Sequence, residues 1–141
     1  MPYRYAGVTE QRKASIHRRD DAEALRGAKR WWGSMYMLGY AVECSLKARL
    51  MERFSAFHLQ DLERELSDRL QKQVDLRTHS LDILLEYTQS EHRLSEIGED
   101  FNVCRRWRVE WRYRPTLGTE QACEEFFEAC DAFLLFVAHN V

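Results

Sequence analysis

The sequence predicts an all-α protein, an antiparallel bundle of four to five helices with short peripheral helices. Three observations support this class. Apolar residues recur at steps of three and four in several long segments, which is the period of a helix that buries one face. The 141 residues include only 6 Gly and 2 Pro, too few for the turns of an all-β fold. Apolar residues make up 45% of the chain and charged residues 31%, a balance typical of a folded domain.

The first helix is expected over residues 9–27, a polar segment that contains only a thin apolar stripe. Such a stripe is typical of a helix on the outside of a bundle. We therefore expect a single domain in which a polar N-terminal helix, residues 1–28, packs on a helical bundle formed by residues 29–141.

The second helix is expected over residues 29–54, where apolar side chains again follow helical spacing. Gly33 and Gly39 lie inside this segment. A glycine within a helix costs about 1 kcal/mol relative to alanine, so two of them indicate the close approach of a neighbouring helix. A break is expected at residues 57–61. A short amphipathic surface helix that contains Leu62, Leu66 and Leu70 is expected after it.

Three more helices are predicted in the second half of the chain. Thr78 or Ser80 is expected to cap a helix that begins near Leu81. A long helix is expected over residues 91–113, because one apolar stripe continues through it. Thr119 is expected to cap the last helix. That helix has two adjacent apolar stripes, which predicts burial on two sides, either within the bundle or against another subunit. The stripes comprise Cys123, Phe127, Cys130, Leu134 and Val137, and Phe126, Ala129, Phe133 and Phe136.

Composition and spacing argue against several classes of function. The chain begins with a strongly polar region and contains no apolar segment of 18 residues, so we expect no signal peptide, no contact with a membrane and a cytoplasmic location. The four cysteines contain no C-x-x-C pair and are expected to be reduced, buried thiols. The five histidines have no H-x-x-x-H spacing, so we expect no metal site and no cofactor.

Charge is segregated along the chain although the net charge is only −2. Residues 104–114 carry five basic side chains and one acidic side chain, whereas residues 80–103 and 115–141 are acidic. Two interpretations of the basic segment remain open. Its arginines and tryptophans could bind phosphates and stack on bases, as in proteins that bind single-stranded nucleic acid. Alternatively, the tryptophans fill the core and the arginines neutralise the acidic helices.

Three segments carry a resemblance to a known family. Residues 37–48, with the sequence M-L-G-Y-A-V-E-C-S-L-K-A, resemble the second-helix signature of HEPN-domain proteins, a family of small prokaryotic bundles of four to five helices. Residues 79–85 are similar to the H-x-L-x-x-L-L step that follows in that family. Residues 112–115 resemble the R-Y-x-P element of one HEPN subgroup. The resemblance covers about residues 29–139.

The resemblance implies a homodimer in a toxin–antitoxin or phage-defence setting, with RNA or nucleotide phosphates as ligands and a nucleotidyltransferase-type partner. Many family members are metal-independent ribonucleases, in which an R-x(4–6)-H motif supplies an arginine for the scissile phosphate and a histidine for the proton of the ribose 2′-OH. This sequence departs from that pattern, because no histidine follows Arg112 or Arg114 until His139. The spacing occurs only outside the expected region, in about the number that chance predicts, at Arg12 and His17 and at Arg53 and His58.

The candidate site follows from these residues. Arg112 and His79 are the candidate catalytic residues, since arginine suits bidentate phosphate contacts and histidine titrates near neutral pH. A local helix cap is the alternative for His79. Glu43 and Lys47 are one turn apart, either as an ordinary surface ion pair or as a polar centre in which Glu43 orients Arg112. The expected phosphate- or nucleotide-binding residues are Arg112, Arg114, Arg108, Tyr113, Glu43 and Lys47.

Three functions remain open at this point. The first is a HEPN-like protein that binds RNA or nucleotide phosphates. The second is a metal-independent endoribonuclease toxin that uses Arg112 for the phosphate. The third is a non-catalytic protein–protein interaction module that uses the two-sided last helix.

Overall fold

Six α-helices and two 3₁₀ helices make up the computed structural model, which describes residues 7–141 apart from the side chains of Glu91 and Asn140. In this range, β-type pairing is limited to an isolated bridge between Gly7 and His58, so the all-α class is confirmed. Part of the predicted N-terminal unit, residues 1–6, lies outside the described residues. The helices are α1 (Val8–Gly27), α2 (Trp31–Arg53), α3 (Leu59–Leu70), α4 (Leu81–Thr88), α5 (Gly98–Cys104) and α6 (Glu120–Asn140), and the 3₁₀ helices span Glu91–Glu96 and Val109–Tyr113.

α1 and α2 form an antiparallel hairpin. Two serine hydroxyl groups join them: Ser34 Oγ donates to the carbonyl of Ala22 at 2.7 Å, and Ser15 Oγ donates to the carbonyl of Ala41 at 2.8 Å. The connection between α1 and α2 is a tight turn in which the backbone of Lys29 adopts the left-handed conformation, with φ of 62°. The helix bounds predicted from periodicity agree with α1 and α2 to within two residues, whereas α3 begins at Leu59, inside the break predicted at residues 57–61.

α2 is the central helix and contacts α1, α3, α4, α6 and the second 3₁₀ helix. Its buried aliphatic face, with Leu38, Val42, Leu46 and Leu50 at steps of four, forms the middle of the core. α6 packs on α2 and on α5, and eight of the nine residues of its two apolar stripes are buried within this single chain, with Leu134 partly buried. Between the two predicted alternatives for the last helix, the bundle itself therefore provides the two-sided burial.

The predicted helix over residues 91–113 is wrong. The chain instead forms a 3₁₀ helix, the short helix α5, a turn at residues 105–106 and a second 3₁₀ helix. Its apolar residues are nevertheless buried where the stripe placed them, at Phe101, Cys104 and Trp107. Burying an indole of ~200 Å² contributes about 5 kcal/mol, whereas helix propensity contributes less than 1 kcal/mol per residue. The free energy gained by burying Trp107 is therefore larger than the free energy that continuing the helix would provide.

Both predicted helix caps in the second half are confirmed. Ser80 Oγ accepts a hydrogen bond from the backbone N–H of Ile83 at 3.3 Å, and Thr119 Oγ1 accepts one from Ala122 at 3.2 Å. Thr78 supports the first of these, because its hydroxyl oxygen accepts from the N–H of Ser80 at 3.1 Å. These bonds depend only on residues two or three positions apart, which is why the sequence predicts them.

Candidate functional site

One face of α2 carries aromatic and charged side chains in place of aliphatic ones. We call this face the α2 strip. Its residues follow at steps of three and four, so successive side chains are separated by about one helical turn, ~6 Å or slightly less. The aromatic members are partly exposed, whereas the two charged members are buried, with only 4% and 5% of their surface exposed. The strip comprises Trp32, Tyr36, Tyr40, Glu43 and Lys47.

Glu43 uses both carboxylate oxygens. Lys47 Nζ donates to Oε2 at 3.1 Å, and His79 Nδ1 lies 2.7 Å from Oε1. An ionised carboxylate only accepts hydrogen bonds, so Nδ1 of His79 carries the proton. The His79 side chain is 44% exposed, and its Nε2 has no hydrogen-bond partner in the described part of the chain. The half-exposed imidazole of His79 therefore connects the buried Glu43–Lys47 pair to solvent.

These contacts overturn three expectations about the charged residues. The Glu43–Lys47 pair is buried and is not a surface ion pair. Glu43 bonds to His79 and not to Arg112. His79 bonds to a side chain of α2 and does not cap a helix, since Ser80 caps α4. The separation in sequence explains the error, because Glu43 and His79 are 36 residues apart and their contact depends on how α2 meets the segment before α4.

Arg112 lies beside the more exposed half of the α2 strip. Interaction of its guanidinium with the phenol groups of Tyr36 and then Tyr113 raises the pKa of Arg112. The Tyr36 ring meets the Tyr40 ring edge-on at 5.1 Å, and burial, followed by the interaction with Tyr36, raises the pKa of Tyr40. The Tyr40 ring meets the His79 ring at a centroid distance of 5.9 Å. Tyr36 and Tyr40 thus connect Arg112 to His79.

Arg114 occupies the next position along the same face. Its guanidinium carbon lies 5.2 Å from the centre of the Trp32 ring, within range of a cation–π contact. Trp32 packs edge-on against Trp111 at 5.0 Å, and its backbone N–H donates to the carbonyl of Leu117 at 2.8 Å. The second 3₁₀ helix therefore runs along the N-terminal half of α2. Arg112, within it, lies beside Tyr36, and Arg114, directly after it, lies on Trp32.

Trp107 anchors this basic segment to α2. Its buried ring stacks near Tyr36 and meets Tyr40 edge-on, with centroid distances of 6.4 Å and 5.2 Å. Its Nε1–H donates to the carbonyl of Tyr36 at 3.1 Å. The ring fits there because α2 has a glycine at position 39, where any Cβ atom would overlap the indole. The close approach predicted from Gly39 is confirmed, although the neighbour is a tryptophan side chain and not a helix.

Most arginines of the basic segment have no carboxylate partner. Arg105 pairs with Asp82 at 2.7 Å. Arg108 donates to the carbonyls of Arg105 and Trp107 and closes the turn before the second 3₁₀ helix. Neutralisation of acidic helices therefore accounts for Arg105 alone, while the predicted core role of the tryptophans holds for Trp107 and partly for Trp111. Within residues 7–141, no ion pair is formed by Arg106, Arg108, Arg112 or Arg114.

The structure brings the predicted site residues into two groups. Glu43, Lys47 and His79 form one group, and Arg112 and Tyr113 form the other. Tyr36 and Tyr40, which link the groups, were not predicted as site residues. Their signal in the sequence is two tyrosines four residues apart in a segment otherwise rich in aliphatic side chains. Arg114 lies on Trp32, and Arg108 is exposed at the turn.

Other features of the described residues bear on the class of site. All four cysteines are buried free thiols, as expected, and the sulfur atoms of Cys104 and Cys130 lie 3.4 Å apart. Side chains of His, Cys, Asp and Glu do not come together in threes to hold a metal ion anywhere in the described range. Among the described helices, none has the length and apolar character needed to cross a membrane.

Comparison with family models, curated proteins and solved structures found no match to this chain.

Proposed function

We propose that this protein is HEPN-like and binds RNA or nucleotide phosphates at the partly exposed aromatic rings of the α2 strip and the arginines beside them. The observation that supports this function is a set of arginines that form no ion pair within the described part of the chain and lie next to partly exposed aromatic rings. Arg112 and Arg114 are the members in contact with those rings. A guanidinium that no carboxylate neutralises is available to a phosphate oxygen, and its planar donors suit bidentate contacts.

Arg112 is the residue on which the proposal chiefly rests. Its guanidinium lies beside the aromatic rings of Tyr36 and Tyr113, so a phosphate bound there is next to rings on which a base can stack. The next arginine along the row, Arg114, lies one helical turn of α2 away, on Trp32. A row of positive charges at this spacing fits successive phosphates of one strand better than a single isolated anion.

Aromatic rings beside the arginines favour RNA or a nucleotide over inorganic phosphate. The Tyr113 ring is exposed, and the Arg112 guanidinium carbon lies 4.8 Å from its centre. Stacking of a base on an aromatic side chain contributes about 1–3 kcal/mol and is open only to unpaired bases. We therefore expect single-stranded RNA to bind more tightly than duplex RNA of the same length.

Fluorescence anisotropy with a short labelled single-stranded RNA tests this function. We expect Arg112→Ala to weaken binding about tenfold, or 1.4 kcal/mol, and to reduce the salt slope by about 0.7. Arg64→Ala is the matched control, because Arg64 is an exposed arginine on α3 that pairs with Asp61 at 2.6 Å. Equal affinities of the two variants would contradict the proposed binding surface.

A metal-independent endoribonuclease is a second candidate, and the hydrogen bond between His79 and Glu43 favours it. With the proton on Nδ1, Nε2 of the neutral imidazole can accept the proton of a ribose 2′-OH. The 2′-oxygen would then attack the adjacent phosphorus while Arg112 holds the phosphate. The bond to the 5′-oxygen breaks and that oxygen takes a proton from a water molecule, while the imidazolium returns the proton of the 2′-OH to the resulting hydroxide. The products are a 2′,3′-cyclic phosphate and a 5′-hydroxyl.

RNA cleavage in the presence of EDTA tests the nuclease. We expect His79→Ala and Arg112→Ala each to abolish cleavage. His17→Ala is the control, because His17 lies in α1 and is not part of the candidate site, and it should leave cleavage unchanged. The chemistry predicts 2′,3′-cyclic phosphate ends on the products. RNA that binds but remains intact would leave the binding function in place and exclude the nuclease.

The setting and partners belong to the same proposal and rest on the resemblance. We propose a cytoplasmic homodimer with a nucleotidyltransferase-type partner in a toxin–antitoxin or phage-defence pair. Size-exclusion chromatography with light scattering tests the dimer. We do not adopt the interaction-module alternative, since the apolar stripes of α6 that suggested it lie within the bundle.

A further inference from the structure

Lys47 lies too deep in the bundle to contact a ligand. Only 5% of the residue is exposed, and its neighbours in sequence, Leu46 and Ala48, belong to the core. A lysine almost never occupies such a position unless a partner balances its charge. Here the partner is Glu43 Oε2, at 3.1 Å. The positive charge of Lys47 therefore acts on Glu43 and not on anything in solvent.

Glu43 transmits that effect to one atom of His79. Its second oxygen, Oε1, accepts from His79 Nδ1 at 2.7 Å. The carboxylate is thus shared between a permanent cation inside the bundle and an imidazole at its surface. Because Lys47 already balances the charge, the imidazole needs to supply only a neutral N–H donor.

We propose that Lys47 and Glu43 are a positioning pair that holds His79 as the neutral tautomer protonated on Nδ1, with Nε2 free to accept a proton or hydrogen bond from a ligand. This inference rests on the proposed function for the identity of that ligand. Besides Glu43, the Tyr40 ring faces the imidazole, and the charge of Arg112 reaches Tyr40. Neither of these offers a carboxylate that could replace Glu43.

Removing each partner has a distinct consequence for His79. In Lys47→Met, a side chain of similar length without charge leaves the buried Glu43 carboxylate uncompensated. The imidazole is then the nearest group that can balance it, by taking a second proton, and an imidazolium has no lone pair with which to accept. In Glu43→Gln/Lys47→Met, both charges are absent, so His79 is neutral. The amide at position 43 can either accept from Nδ1 or donate to it, so it no longer selects one tautomer.

Nitrogen-15 NMR of the histidine rings measures these states directly. Signals of His79 are assigned by their loss in His79→Ala. We expect the Nδ1-protonated pattern in the wild-type protein near neutral pH, the imidazolium pattern in Lys47→Met, and a mixture of neutral tautomers in the double variant. Lys72→Met is the control, because Lys72 is an exposed lysine 3.6 Å from Glu86, and it should leave His79 unchanged.

Two results would overturn the inference. One is a wild-type His79 that is protonated on Nε2 alone, a measurement that needs no variant and does not depend on Lys47→Met folding. The other is a folded Lys47→Met protein whose His79 signals equal those of the wild type. If the same variant also lost RNA affinity about tenfold, Lys47 would be a direct phosphate ligand instead.

RNA binding separates this inference from the proposed function. A wild-type protein with the Nδ1-protonated tautomer but no affinity for RNA would support the positioning pair and refute the RNA function. A protein that binds RNA through Arg112 but has His79 protonated on Nε2 would support the RNA function and refute the positioning pair. In the expected case, Lys47→Met retains the arginine-dependent RNA affinity while His79 changes its protonation.

Discussion

The indole of Trp107 occupies the space that a side chain at Gly39 would need. This contact connects the central helix to the basic segment, since Trp107 also bonds to the carbonyl of Tyr36. Arg112 follows five residues later and reaches the hydroxyl of that same tyrosine. A single glycine in α2 thus determines where the arginines lie.

Gly39→Ala is expected to destabilise the protein by about 1–3 kcal/mol, because the methyl group would overlap the indole and the ring cannot shift without moving the backbone. Gly33→Ala is the matched control. A Cβ atom there would lie 3.6 Å from the Leu25 side chain, an ordinary contact, so the change should stabilise by up to about 1 kcal/mol. Urea unfolding measures both. Equal stability of the two variants would show that the contact with Trp107 is not tight.

The buried ion pair predicts a strongly non-additive result. Lys47→Met should lower the free energy of unfolding by about 3–5 kcal/mol, because Glu43 keeps a buried charge without its cation. The double variant Glu43→Gln/Lys47→Met should lose less than the single variant, since it buries no net charge. Chemical denaturation of the wild type, both single variants and the double variant gives the coupling. Additive losses would mean that the pair is solvated.

Alkaline pH is expected to destabilise the fold through Cys44. Burial raises the pKa of Cys44 to about 11, above its ordinary value of 9.0. The folded state therefore favours the neutral thiol, so its stability contribution is fully present below pH ~9 and is lost as the pH rises towards 11. Two pH units correspond to about 2–3 kcal/mol. Comparing unfolding of the wild type and Cys44→Ala across this range isolates the effect, and parallel pH profiles would contradict it.

Alanine substitutions on the two sides of α6 are expected to change stability very differently, even for residues only two positions apart. Phe133 is fully buried and contacts Phe101 at 4.9 Å, so Phe133→Ala should cost about 3–5 kcal/mol. Leu135 is 64% exposed, and Leu135→Ala should change stability by less than about 0.5 kcal/mol in a monomer. Thermal unfolding at several protein concentrations measures both. A large loss in Leu135→Ala that depends on concentration would place a subunit interface on this face.

Features that depend on near neighbours in sequence were predicted correctly. The all-α class, the bounds of α1 and α2, the presence of α3 and the caps Ser80 and Thr119 follow from residues within one or two turns of each other. The break in the predicted helix over residues 91–113 was missed, because an apolar stripe continues through consecutive short helices that face one core. The periodicity reports burial, and it does not report whether the helix is continuous.

The sequence alone determined the helices and the residue types available for a site, because periodicity and capping are local. Only the tertiary structure decided which of these residues are partners. Glu43 meets His79 across 36 residues, and Trp107 meets Tyr36 across 71. Such contacts depend on the path of each connection and on which ring fills which gap, and no local pattern encodes either. For the same physical reason, only the tertiary structure shows that Arg112 and Arg114 form no ion pair with a carboxylate among residues 7–141.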